Sequence, residues 1–191
     1  MKATYNVLFL CTGNSARSIM AEAILRRRGD PQFRAFSAGS HPAGRVHPEA
    51  LRQIQLARLS ADDLRSKSWE EFAAAGAPKL DFVFTVCDNA AKEVCPVWPG
   101  QPLTAHWGIP DPATVAGTPE QIARAFRDAF AILDRRIGLF LSLPLATLDK
   151  MAVKKAIDHI GNESIDQPVP SLRPESHAII WSGAAVPQHR K

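Results

Sequence analysis

The sequence predicts an α/β domain in which four parallel strands carry helices on both faces. Three observations point to this class. Short apolar runs at residues 5–10, 34–37, 80–86 and 103–107 alternate with longer stretches of helical periodicity. Strands separated by helices imply βαβ units with right-handed crossovers, hence a parallel sheet. Two of the runs, 5–10 and 80–86, stop directly at a cysteine, Cys11 and Cys87. In parallel sheets, ligands bind beyond the carboxyl ends of the strands, where both thiols would emerge.

Each element has its own local signal. Residues 5–10 (YNVLFL) are apolar and end at a Gly-Asn turn, as a buried parallel strand does. Residues 18–28 place Ile19, Ala23 and Ile24 at helical spacing and stop at Gly29. A second helix is predicted over 48–58. Ser68 followed by Glu71 forms a capping-box pattern that should open a short third helix. Thr118 and Gln121, with Pro119 at the first helical position, introduce a long helix. Its Ile122, Phe126, Ala129, Leu133, Ile137 and Phe140 share one face. One more helix is expected over 146–160, stopped at Gly161, and the Pro- and Ser-rich stretch beyond it reads as a flexible tail.

Composition narrows the function classes. A chain of 191 residues, 46% apolar with four tryptophans, has material for one globular core and a short appendage. The longest apolar stretch, 137–148, contains Pro144 and falls short of the roughly 20 residues that cross a membrane. Three cysteines cannot all pair within one chain, which fits thiol chemistry in a reducing, cytoplasmic compartment. The net charge of +4 is mild, and no nucleic-acid-binding motif accompanies it. A basic surface also gathers small anions. His41, His47 and His106 share no ligand spacing with the cysteines, so no metal is expected.

The chemistry concentrates in residues 11–18, Cys-Thr-Gly-Asn-Ser-Ala-Arg-Ser, between the first strand and the first helix. Small residues at Thr12, Gly13, Asn14, Ser15 and Ala16 let successive N–H groups turn inward as an anion nest. The helix that follows adds its positive end. The planar fork of Arg17 matches two oxygens of a tetrahedral oxyanion. Ser18 can donate its hydroxyl to the Cys11 sulfur. These groups favour thiolate and are expected to lower the Cys11 pKa into the range of reactive cysteines. A structural cysteine that merely precedes an arginine is the alternative.

The stretch CTGNSARSIMAEAIL resembles the signature of the low-molecular-weight protein tyrosine phosphatase superfamily, and the resemblance runs from about residue 7 to 140. Later segments resemble its arsenate reductase branch: SAGSHPAG at 37–44, VCDNAAKEVCPVWPG at 86–100 and HWGIPDPA at 106–113. The resemblance implies a phosphotyrosine protein phosphatase I-like, Rossmann-like fold. It would comprise a catalytic domain over 1–145, a C-terminal helix over 146–161 and a tail over 162–191. It implies that Asp111, between Pro110 and Pro112, is the general acid; His106 and Trp107 are expected, from their place in the sequence, to shape the site entrance near it. It further implies a relay in which Cys11 attacks arsenate, Cys87 attacks Cys11, and Cys95 resolves the disulfide for an external reductant. Phosphate and sulfate would bind as analogues. No cofactor would be bound; thioredoxin, or glutaredoxin with glutathione, would supply electrons. If 88–95 were helical, the later two cysteines would lie about 12 Å apart. A disulfide needs less than about 7 Å, so the segment would have to unwind.

Two departures from the branch stand out. Seven residues separate Cys87 from Cys95 where the best-known thioredoxin-coupled members have six, and Ser66-Lys67 replaces Ser-Asp. That aspartate helps hold a potassium ion near positions matching Asn14, Glu22 and Ser37. Here the Lys67 ammonium is expected to take the cation's place, supporting the loop through Asn14 and Glu22. Two other functions fit parts of the pattern. A phosphatase would use Cys11, Arg17 and Asp111 alone, although such enzymes usually carry Asp-Pro-Tyr where this chain has Asp-Pro-Ala. An oxyanion-binding or redox-sensing module would need neither nucleophile nor acid.

Overall fold

The structure, a computed structural model, describes residues 4–92 and 96–163. Cys95 and the expected tail from residue 164 onward lie outside the described residues. The elements run β1 (Tyr5–Cys11), α1 (Arg17–Gly29), β2 (Phe33–Gly39), α2 (Pro48–Leu56), β3 (Phe82–Thr85), α3 (Asp88–Lys92), β4 (Leu103–His106), α4 (Pro119–Leu141) and α5 (Lys150–Asn162). Short 3-10 turns at Trp69–Phe72 and Pro112–Thr114 complete the chain.

The four strands form one parallel sheet in the order β2-β1-β3-β4. The chain leaves β1 toward β2 and then returns to β1's other side with β3, so the topological switch lies between β1 and β3. Cys11 ends β1 and Cys87 follows β3, so the fold sets both thiols at the crevice where such sheets bind ligands.

Strand alternation divides the core. Val7 and Phe9 face a large layer that includes Ile19, Ile24, Phe126, Leu133, Ile137 and Ile157, contributed by α1, α4 and α5. Leu8 and Leu10 face a smaller layer closed by Phe72, Leu80, Val83 and Trp98. The same alternation separates His106 from Trp107. Trp107 is fully buried, stacked on Phe84 with ring centroids 4.0 Å apart, and its indole N–H donates to the Ile157 carbonyl at 2.9 Å. It is a core residue and does not shape the site entrance; only His106 faces outward.

Three boundaries differ from expectation for local reasons. Helix α2 stops at Leu56, before Arg58, whose φ of 56° is left-handed. The helix opened by Ser68 is a single 3-10 turn. Helix α5 begins at Lys150, where the Asp149 carboxylate caps the Ala152 N–H at 2.8 Å, after turns built on the Pro144 carbonyl. It also runs through Gly161, whose bare Cα lies against the end of β4. A Cβ there would come within 2.1 Å of the His106 carbonyl oxygen. No helix among the described residues is long and apolar enough to cross a membrane.

Candidate active site

The loop after β1 is held open from outside. The carbonyls of Thr12, Gly13 and Ser15 accept the N–H groups of His41, Ala43 and His47 at 2.8–2.9 Å. With these carbonyls turned outward, the loop's own N–H groups are left to face inward. Asn14 takes a φ of 41° to complete the turn. Gly39, at the end of β2, permits the close approach, because a Cβ there would sit 2.4 Å from the Thr12 carbonyl oxygen. Helix α1 starts at Arg17 with no side-chain cap and no acidic residue in its first turn. Its orphan N–H groups and positive end are therefore available to an anion.

Cys11 is 3% exposed, and its sulfur receives the Asn14 N–H at 3.2 Å and meets the Ser18 hydroxyl at 2.9 Å. The donor direction at Ser18 is set from behind. Asn14 Nδ2 donates to Ser18 Oγ and to Ser37 Oγ, each at 2.9 Å, leaving the Ser18 hydroxyl proton for the sulfur. Ser37 Oγ in turn donates to Glu22 Oε2 at 2.5 Å. Contrary to the expected lowering, the net shift of the Cys11 thiol is upward. Burial pushes it up most; hydrogen bonds from Ser18 oppose this, Cys87 adds to it, and Arg17 pulls down least.

The network behind the loop closes on Lys67, which is 7% exposed. Its ammonium lies 3.4 Å from Glu22 Oε2 and 3.5 Å from Ser37 Oγ, and donates to the Arg65 carbonyl at 3.2 Å. Arg26 takes the other Glu22 oxygen. Lys67 reaches Asn14 through its backbone N–H, at 2.8 Å from Oδ1, rather than through the ammonium. Burial pushes the Lys67 pKa down, against the upward pull of Glu22.

Arg17 and Asp111 meet across the mouth. One arm of the guanidinium donates to Asp111 Oδ2 at 2.5 Å and the other to the Ile109 carbonyl at 3.1 Å. The second Asp111 oxygen accepts the Ala113 N–H at 3.1 Å, capping the 3-10 turn that Pro112 begins. Cys87 is 2% exposed; its sulfur accepts the Ala90 N–H at 3.3 Å and lies 3.6 Å from the Thr12 hydroxyl. Arg17, Cys87, Asp88, Asn89, Ile109 and Asp111 line one open cavity of about 440 Å³.

Of the residues the sequence singled out, the structure thus joins Cys11, the 12–18 loop, Glu22, Ser37, Lys67, Cys87, Arg17 and Asp111. Among the described residues, no imidazole of the three histidines hydrogen-bonds the Cys11 sulfur or the 12–18 loop, although His106 meets the cavity wall through Asp88. His47 caps α2 and stacks on Phe126 at 4.6 Å, His41 contacts Ser40, and His106 pairs with Asp88. The Ile109 carbonyl and the His106–Asp88 pair were missed, the first because a backbone acceptor leaves no mark on residue type.

Fold and loop together define a parallel α/β protein with a Cys-x5-Arg anion loop at its switch point. The family model described as low molecular weight phosphotyrosine protein phosphatase matches residues 6–154. The chain belongs to this family. An arsenate reductase of Halalkalibacterium halodurans is 34% identical over 134 residues, covering 70% of this chain and 93% of that protein. The crystal structure of an arsenate reductase from Archaeoglobus fulgidus aligns with a TM-score of 0.52 at 27% identity, covering 69% and 98% of the two chains. A low-molecular-weight phosphotyrosine phosphatase of Vibrio cholerae shares the fold, with a TM-score of 0.53 at 21% identity over 68% and 90%.

Proposed function

We propose that the chain reduces arsenate to arsenite through a thiol relay begun by Cys11. The observation that carries this reading is the second buried thiol, Cys87, placed against Thr12 of the anion loop. Hydrolysis of a phospho-cysteine needs only water, whereas reduction needs a second thiol within reach of the first. The arsenate reductases among its relatives favour the same reading.

The Cys11 thiolate attacks arsenic held by the loop N–H groups and Arg17. An As–S bond forms and an As–O bond breaks, with Asp111 protonating the departing oxygen as water. The Cys87 thiolate then attacks the Cys11 sulfur. The S–As electron pair stays on arsenic, which leaves as arsenite, and a Cys11–Cys87 disulfide remains. Cys95 attacks Cys87 and releases the Cys11 thiolate. An external thiol reductant, thioredoxin or glutaredoxin with glutathione, reduces the Cys87–Cys95 disulfide to two thiols and is itself oxidised to a disulfide. Val97, 92% exposed two residues beyond Cys95, offers such a protein an apolar contact. The Lys67 ammonium supports the loop in place of a metal cation, and the three thiols suit a cytoplasmic setting.

The test is NADPH oxidation with thioredoxin and its reductase, repeated with glutaredoxin and glutathione. Arsenate-dependent oxidation lost in Cys11→Ser and Cys87→Ser is the expected result. Aryl phosphate turnover that survives Cys87→Ser, without arsenate reduction by either system, would instead establish a phosphatase. Arsenate binding without turnover would leave an oxyanion-binding module.

A further inference from the structure

Among the buried charges of the described residues, Arg136 is the one the proposed chemistry leaves unused. It lies on α4, is 3% exposed, and donates to three backbone carbonyls. Nη1 meets the Trp107 carbonyl at 2.8 Å and the Gly108 carbonyl at 3.2 Å, and Nη2 meets the Gly161 carbonyl at 2.9 Å. Gly161 lies in the last turn of α5, where helix carbonyls have no partner of their own. Burial lowers the Arg136 pKa against the pull of Glu163, and the carbonyls replace the water a guanidinium loses on burial.

The two loop carbonyls flank one residue. That of Trp107 belongs to the peptide before Gly108, and that of Gly108 to the peptide after it. One guanidinium nitrogen thus fixes both peptide planes around a residue with no side chain to restrain it. The N–H groups of the same segment are held by β3, Trp107 on the Thr85 carbonyl at 2.7 Å and Ile109 on the Val86 carbonyl at 3.3 Å. The next carbonyl, of Ile109, goes to Arg17 instead, and Asp111 follows behind Pro110, whose ring fixes φ. The segment leading to the acid therefore hangs between two arginines, Arg136 behind it and Arg17 at the mouth. Arg17 is the one an oxyanion claims, and the hold of Arg136 does not depend on substrate.

We propose that Arg136 is a positioning residue for the acid: by locking the backbone on both sides of Gly108, it keeps Asp111 at the mouth when Arg17 turns to the oxyanion. The inference rests on the reading of Asp111 as the acid.

The experiment is a double-mutant cycle in the full chain, read as kcat/KM for arsenate with the reductant that turns the parent over. Arg136→Met removes the three bonds and the buried charge together and keeps an unbranched side chain in the core. It is expected to lower kcat/KM roughly 10–100-fold, the scale of a small misplacement at a reacting centre. Phosphate should bind no more weakly by calorimetry, because the loop and Arg17 are intact. In an Asp111→Asn background the same change should cost less than about twofold, since there is no acid left to misplace. Arg136→Lys keeps the charge and part of the bonding and should lose about three- to tenfold. Leu133→Ala, a cavity on the same helix, should lower the urea midpoint yet leave kcat/KM within about twofold. An unchanged kcat/KM in Arg136→Met, an equal loss in both backgrounds, or an equal loss in Leu133→Ala overturns the proposal. If Arg136→Met does not fold, Arg136→Lys decides by the same cycle: a loss confined to the Asp111 background supports it, and no loss or an equal loss overturns it. If Asp111→Asn alone costs nothing, the acid reading fails and takes this inference with it.

Discussion

Lys67→Ala tests the support behind the loop most sharply. The Glu22 carboxylate is 0% exposed and has three partners: Ser37, Arg26 and the Lys67 ammonium. Removing one member of a buried pair typically costs about 3–5 kcal/mol, because a charge is left uncompensated. Here the loss is smaller. Arg26 still holds the other carboxylate oxygen, and the ammonium stands at 3.4 Å rather than in tight contact. The backbone N–H of residue 67 would keep Asn14. About 2 kcal/mol is therefore expected, seen in equilibrium urea unfolding as a midpoint lower by about 1 M with an unchanged slope. The vacated space is lined by Glu22, Ser37 and the Arg65 carbonyl, all oxygen donors suited to a hard cation. Potassium in place of tetramethylammonium should therefore restore part of the stability of Lys67→Ala and leave the parent unchanged. The reasoning is refuted if potassium stabilises or activates the parent and does so equally in Lys67→Ala. It is also refuted if the variant loses less than about 0.5 kcal/mol, the scale of an ordinary surface substitution.

Two further predictions concern the mouth and the thiol. Asp111→Asn removes the proposed acid and frees Arg17 from its 2.5 Å partner, so turnover should fall roughly 10²–10⁴-fold while phosphate binds about fivefold tighter by calorimetry. Parallel losses in both would remove Asp111 from its role as acid. In alkaline solution the two shifted groups act with opposite signs. The Cys11 pKa is raised on folding, so its contribution is present at lower pH and is lost as pH climbs through the thiol range. The Lys67 pKa is lowered on folding, so its contribution is present above the ordinary lysine value of about 10.4 and is lost as pH falls. Urea midpoints between pH 8 and 10.5 should decline less in Cys11→Ser than in the parent; identical slopes would show that the buried thiol does not titrate with folding.

What was legible in the sequence was what depends on neighbours along the chain. Residues 11–18 declare the loop because strand, turn, arginine and helix follow one another without a gap. The apolar runs ending at Cys11 and Cys87 were enough to bring two thiols to one sheet edge, since parallel topology does the rest. What was not legible depends on residues brought close only by the fold. His106 and Asp88 are 18 positions apart, and their meeting requires Gly108 to pass beneath them. His106 and Trp107 looked like one feature because they are adjacent, yet strand alternation sends one outward and the other into the core.

The direction of the Cys11 shift is the most instructive case. Ser18 and Arg17, both readable from the loop, favour thiolate, and both act downward. Burial outweighs them, and burial belongs to the packed domain rather than to the motif. Arg17 pulls down least, and its fork is held by Asp111 and the Ile109 carbonyl. In the proposed mechanism an arriving oxyanion competes for that fork. Drawing Arg17 toward the loop breaks its contact with the Asp111 carboxylate. Substrate binding would thus release Asp111 and bring the arginine to the oxyanion in one movement, which accounts for an arginine that rests turned away from the loop.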